Sequence, residues 1–294
     1  MASYFRVYRI ASLATVILTA SSLYAQQQPR DDLREPVFRI ANANNIGDVN
    51  AASQHPLDPA IEIAQRSLAH VQANIADYDA ILVKRELVGG ALTDHEYILT
   101  KVRNRKVVNG QVQVPFSVYM RFLKPASVKG REVLYVEGWN NNKLMAREAG
   151  LLGKATGAVS LNPNGILAMR GNRYPITEVG IENLLVRLIE KGVRDRQHGE
   201  CSVNFYDNFK INGRACTKLV VTHPVRRDYF DFHIAEVFLD KELNIPIRYA
   251  AYDWPAQPDG EPSLIEEYTY LKLNLNVGLT DADFDSKNPN YSFN

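Results

Sequence analysis

Cysteine is scarce in this chain, two in 294 residues, so one disulfide is the most it can form, and no nucleophile signature surrounds either thiol. There is no G-x-S-x-G elbow and no glycine-rich phosphate loop, which leaves serine hydrolysis and nucleotide binding without their usual marks. The six histidines, at 55, 70, 95, 198, 223 and 233, show no H-x-x-x-H spacing of the kind that grips zinc. Neither sign of charge is in excess. With 34 Lys and Arg against 33 Asp and Glu, the chain lacks the basic face that nucleic acid requires. No cofactor signature is present, and past the N-terminus no apolar run nears the ~20 residues of a membrane span.

What the chain does have begins at its start. Arg6 and Arg9 precede an apolar run from Ile10 to Leu23, and Ala25 offers a small residue for a cut before Gln26. A basic lead, a short apolar stretch and a small cleavage residue describe a secretory signal peptide over residues 1–25. The protein is therefore expected in the periplasm or outside the cell, and not as an integral membrane protein once cleaved. Losing Arg6 and Arg9 leaves 32 basic against 33 acidic residues. Residues 26–55, polar and without periodicity, read as a flexible lead segment. The remainder, 56–294, reads as one domain.

That domain opens with a helix. Asp58-Pro59 offers an N-cap and a first-turn proline, and Ile61, Ala64, Leu68, Val71 and Ile75 form one stripe. From Tyr78 the period changes to two. Short alternating runs at 78–88, 95–103, 116–123, 131–138, 201–211, 215–223, 233–240, 245–253 and 264–275, separated by turn residues, predict an antiparallel meander. A second helix interrupts it, with Ile181, Leu184, Leu185, Leu188 and Ile189 as its stripe, Thr177 as a capping residue and Gly192 at its end. Several strands are apolar on both faces, as in 264–275, where Ile265, Leu271, Leu273 and Leu275 oppose Tyr268 and Tyr270. Two helices are too few to cover both faces of a flat sheet of this size, so strong curvature around a helix-lined interior is expected.

The polar candidates are weak. Asp281, Asp283 and Asp285 alternate like the start of an EF-hand, but Ser286 stands where glycine is needed and Ser292 where the bidentate glutamate belongs. They read as solvated turn residues. Tyr229, Asp231 and His233 share one face of a predicted strand and offer half an acid–base pair, a pattern that exposed strand faces often show. Glu266 and Glu267 are adjacent in a strand and so point to opposite faces. Cys201 and Cys216 suit one disulfide, yet a two-residue turn at Asn212-Gly213 pairs Phe209 with Cys216 and leaves Cys201 roughly 26 Å along the strand. A four-residue turn over Asp207–Lys210 would instead set the two cysteines opposite each other. Both arrangements remain open at this stage.

The order of elements resembles the LolA-like fold of lipoprotein-sorting proteins of the bacterial envelope. "AIEIAQRSLAHVQANIADYDAILVKRE" is similar to that family's first helix and strand. "YMRFLKPASVKGREVLYVEGWNNNKLMAR" is similar to its strand–Pro-turn–strand, and "VFLDKELNIPIRYAAYD" to its strand–acidic turn–strand unit. "KLNLNVGLTDADFDSKNPNYSF" looks like its final strand and closing phrase. "RYPITEVGIENLLVRLIE", "INGRACTKLVVTHP" and "EEYTYLKLNLNVGLTDADFD" resemble more closely a family of uncharacterised exported proteins of planctomycete type, over roughly residues 56–294. The resemblance implies an α+β fold, a half-barrel whose strongly curved antiparallel sheet has helices on its concave side.

It also implies a non-enzymatic binding module that takes a lipid, a lipoprotein or another envelope protein as partner. Tyr119, Leu123, Leu134, Val136, Tyr268 and Tyr270, on the faces taken as inward, are the candidates to line an acyl-binding cleft. The alternative is a structural or interaction protein of the envelope with a packed core and no ligand. A hydrolase using Asp231 and His233 is the third reading. Export is tested directly: sequencing the N-terminus of secreted protein should begin at or near Gln26, and an intact Met1 in soluble material would refute it.

Overall fold

The computed structural model describes residues 37–38, 45–48 and 55–293. The predicted signal peptide and the rest of the lead segment lie outside the described residues.

Helix α1 runs Asp58–Asn74, with Pro59 in its first turn. Its N-cap is Leu57 rather than Asp58. Asp58 instead accepts the His55 backbone N–H and the Arg196 guanidinium, which ties the start of α1 to the end of the later helix. Two short helices, α2 (Gly150–Thr156) and α3 (Ile166–Met169), precede α4 (Ile181–Asp195). Thr177 does not cap α4. It sits in the 3₁₀ turn Ile176–Glu178, and the cap position belongs to Gly180 at φ 116°. Nor does Gly192 end α4, which continues to Asp195. A Cβ there would stand 3.0 Å from Ile61 Cγ1, so the glycine is kept for the close crossing of α1 and α4.

The described residues form sixteen strands. They are β1 (Val37–Phe38), β2 (Asn45–Asp48), β3 (Asp77–Val88), β4 (Ala91–Leu92), β5 (Glu96–Arg103), β6 (Lys106–Val108), β7 (Gln111–Val114) and β8 (Ser117–Lys124). The rest are β9 (Glu132–Val136), β10 (Leu144–Arg147), β11 (Val159–Leu161), β12 (Ser202–Ile211), β13 (Arg214–Thr222), β14 (Ile234–Asp240), β15 (Pro246–Asp253) and β16 (Ser263–Leu275). Apart from the β6–β7 hairpin they form one antiparallel sheet, in the order β1-β12-β13-β14-β15-β16-β3-β5-β8-β9-β10-β11, with β2 also beside β12 and β4 beside β3. Two pieces of the predicted lead, β1 and β2, pair with β12, whose outer edge would otherwise present bare N–H and C=O groups. The sheet stays open because its end strands do not pair with each other. Extra residues at register shifts in β12, β15, β16 and β8 supply bends. The architecture is the curved antiparallel sheet with helices on its concave side that the sequence predicts.

Register makes the concave face one continuous surface. Phe205, Leu219, Val237, Tyr249, Tyr268, Lys84 and Glu96 follow one another across neighbouring strands. Over β12–β16 this face packs on Leu57 and Ile61 of α1 and Leu184 and Leu188 of α4. The outer face of β8 and β9 is covered differently, by the segment after β16. Tyr119, Leu134, Phe284 and Phe293 form a buried cluster there, and the Tyr291 ring stacks on Tyr119 with centroids 3.8 Å apart. Ser292 donates its N–H and hydroxyl to the buried Glu132 carboxylate at 2.7 and 3.0 Å.

The aspartate run belongs to this strap. Thr280 and Asp283 form a capping box at the 3₁₀ turn Asp281–Phe284. Asp283 accepts from Lys101 at 2.7 Å and Asp281 from Arg103 at 2.7 Å. Phe284→Ala is expected to destabilise the protein by about 3–5 kcal/mol. Asp281→Ala, at a carboxylate almost fully in water, should be nearly neutral. Chemical denaturation reads both, and equal effects would show that burial does not hold the strap.

Candidate functional site

The two-residue period of the strands sorts the inner surface of the sheet. Leu82, Lys84 and Glu86 of β3, Glu96 and Ile98 of β5, and Met120 and Phe122 of β8 point inward together. Val133 of β9, Leu144 and Ala146 of β10, and Glu266, Tyr268 and Tyr270 of β16 join them. Unlike the β12–β15 half, this half is not filled by α1. Residues 161–180 and the Leu184–Leu188 edge of α4 arch over it, leaving a cavity of about 670 Å³ that opens to solvent. Close-packed interiors leave few voids larger than a water molecule, so a space of this size is a feature of the fold rather than loose packing.

The cavity wall mixes apolar side chains with charged ones, among them a buried cluster on β3, β5 and β16. Lys84 Nζ donates to Glu86 Oε2 at 3.1 Å and to Asn172 Oδ1 at 2.6 Å, and pairs with Glu96 Oε2 at 3.1 Å. Tyr268 donates its phenol to Glu86 Oε1 at 2.5 Å. Arg173 donates its backbone N–H to Glu86 Oε2 at 3.1 Å, its Nε to Glu266 Oε2 at 3.2 Å and an Nη to the Leu87 carbonyl at 3.1 Å. Burial, reinforced by the Glu266 carboxylate, pushes the Tyr268, Tyr249 and Tyr174 phenols well above their ordinary range, so all three remain protonated donors. Asn172 and Arg173 come from the arch. The cluster therefore also fastens the arch to the sheet.

Of the six residues expected to line a cleft, the structure places Tyr268 and Tyr270 on the cavity wall. Tyr119, Leu134 and Val136 lie on the opposite face, under the C-terminal strap. Leu123 is the extra residue of the register shift between Phe122 and Lys124 and is not part of the cavity wall. For β8 and β9 the inward assignment is thus corrected: Met120, Phe122 and Val133 face the cavity. Both sets are apolar because both faces of the sheet are covered, which is why alternation alone does not tell inside from outside.

Cys201 and Cys216 are free thiols. Ser202 pairs with Thr222 and Phe209 with Cys216, so the turn at Asn212-Gly213 prevails and Cys201 sits at the far end of the hairpin. Tyr229, Asp231 and His233 are not on a strand, because β14 starts at Ile234. There Asp231 accepts from Arg194 at 3.0 Å and pairs with Lys191 at 3.3 Å, while His233 Nδ1 meets the His223 carbonyl at 2.8 Å. Among the described residues no group of three or more His, Cys, Asp or Glu is placed to hold a metal ion. Sequence reasoning missed Lys84, Glu86, Glu96 and the arch. The available signal was charge on the inward parity of β3, in "ILVKRELV".

An open antiparallel half-barrel with a roofed, amphiphilic cavity is the class that fold and site define. The chain belongs to the family described as "Protein of unknown function (DUF1571)", whose model matches residues 75–293. No curated protein matches the sequence. Among solved structures, a DUF1329 family protein from Desulfovibrio piger is 14% identical, covering 79% of this chain and 98% of its own, with a TM-score of 0.37. A putative outer membrane lipoprotein-sorting protein domain from Vibrio parahaemolyticus is 15% identical, covering 78% and 97%, with a TM-score of 0.37. A LolA superfamily protein from Nitrosomonas europaea is 11% identical, covering 76% and 97%, with a TM-score of 0.30.

The polar cluster makes a prediction independent of any ligand. Lys84→Met leaves Glu86 and Glu96 buried without their shared cation and is expected to destabilise the protein by about 3–5 kcal/mol. Amide exchange should rise over residues 162–173, which Asn172 and Arg173 hold down. Unchanged exchange there would mean that the cluster does not fasten the arch.

Proposed function

We propose that this protein is an exported, non-enzymatic binding module that holds an acyl chain or a similar apolar ligand in the roofed half of its curved sheet. One observation carries the reading: a cavity of about 670 Å³ walled by Leu82, Ile98, Met120, Phe122 and Tyr270. That size falls within the ~300–1,000 Å³ of ordinary ligand sites, and an apolar void of only ~150 Å³ already binds benzene. Each buried methylene contributes about 0.8 kcal/mol, less the cost of immobilising the chain. The charged cluster around Lys84 on the wall is suited to the head group of such a ligand. The ionisable groups around it are engaged with one another, an arrangement that favours holding over proton transfer.

Two substitutions of similar size on opposite faces test this. Ala146→Phe intrudes into the cavity and should weaken binding of a fluorescent fatty acid while leaving thermal stability nearly unchanged. Leu134→Trp overfills the packed outer cluster, so it should destabilise by about 1–3 kcal/mol and leave binding intact. Absence of saturable probe binding in the unmodified protein, together with lipid-free extracts of protein from its own host, would leave the structural reading standing instead.

A further inference from the structure

We infer that the short helices α2 and α3, which flank β11 and of which α3 belongs to the arch, form a membrane-docking edge that seats the protein on an anionic lipid surface. The inference rests on the proposed function for its purpose but on separate residues for its evidence. Leu151 of α2 is 85% exposed, and Ile166 and Leu167 of α3 are 90% and 69% exposed. Folded surfaces seldom leave large aliphatic side chains so bare, and these are the three most exposed large apolar residues described. Leu167 also lines the cavity. The apolar surface is therefore continuous from the interior to the solvent at this point.

Charge identifies the partner. From Ala149 to Thr177 the chain carries Lys154, Arg170 and Arg173 and no acidic residue. Arg173 is turned to Glu86 and Glu266. Lys154 and Arg170 are exposed and form no ion pair among the described residues. The flanking acids are neutralised, Glu148 by Arg131 at 2.9 Å and Glu178 by Arg187 at 2.5 Å. Bare aliphatic tips beside uncompensated cations match a bilayer interface with anionic head groups, where the tips enter the acyl boundary and the cations meet phosphates. A ligand of acyl type has low solubility in water, and this edge would let it pass between bilayer and cavity without crossing solvent.

Vesicle co-sedimentation tests the inference, using protein recovered from a secreting host with the same sequenced N-terminus in every variant. Vesicles of phosphatidylglycerol and phosphatidylethanolamine should bind the protein, and vesicles of phosphatidylcholine alone should bind it several-fold less. The Leu151→Ser, Ile166→Ser double variant is expected to lose about tenfold or more of that binding. Lys154→Gln, at a residue outside the cavity lining, should lose about fivefold at low salt. All these residues are exposed, so the variants should fold, and retained fluorescent fatty-acid binding in the same samples confirms that the cavity is intact. Binding that is absent, unchanged in the double variant or equal on both vesicle types overturns the inference. So does a concentration-dependent dimer abolished by Ile166→Ser, which would assign the edge to a second copy. If docking behaves as stated while the cavity binds no probe in any form, the carrier reading fails and the docking edge stands.

Discussion

A sheet that is apolar on both faces has to be covered twice, and this constraint organises the molecule. The inner face of β12–β16 receives α1 and α4, whose close crossing at Ile61 and Gly192 brings them down together. The outer face of β8 and β9 receives the strap that follows β16, held by Phe284, Phe293 and the Tyr291 ring. The inner face of β3, β5, β8, β9 and β10 instead lines the cavity. There the chain builds an arch that touches the sheet through a few polar bonds rather than by filling the space. The cavity lies where the apolar inner face is roofed instead of packed.

The polar cluster explains why the arch stays raised. Buried charges are costly unless each is paired: Lys84, Glu86, Glu96 and Tyr268 pair within the sheet, and Arg173 of the arch supplies the cation for Glu266 while Asn172 takes a further Lys84 proton. The arch therefore completes the cluster, and the cluster fixes where the arch lands. A ligand with a polar head would meet groups that are already oriented, and it would not have to order them.

Most of the architecture could be read in advance, because the strands have a clean two-residue period and both main helices have an apolar stripe. The nine predicted strand regions all appear, and α4 was missed only at its ends. Its end was misplaced because Gly192 serves a helix crossing, where the sequence rule reads glycine as a stop. The arch was opaque for a physical reason: α2, α3 and the 3₁₀ turn are too short to show periodicity, and they are held by contacts with residues far away in sequence. The lining was half legible. On β16 the inward tyrosines stand out, while on β8 and β9 Tyr119 and Leu134 look as suited to an interior as Met120 and Val133, since they too are buried beneath the strap.

The pairing of β16 with β3 has a consequence for the order in which the molecule is made. Leu82 leaves the ribosome long before its neighbour Tyr270, so the middle of the sheet is a seam between the first long strand and the last. Until β16 arrives, β3 and β5 have an apolar surface and a free edge, and the half of the sheet begun at β12 has nothing to join. Such distant pairing makes for slow folding and a lengthy aggregation-prone interval. The nascent chain will depend on being held unfolded, and the last strand to emerge determines when that dependence ends.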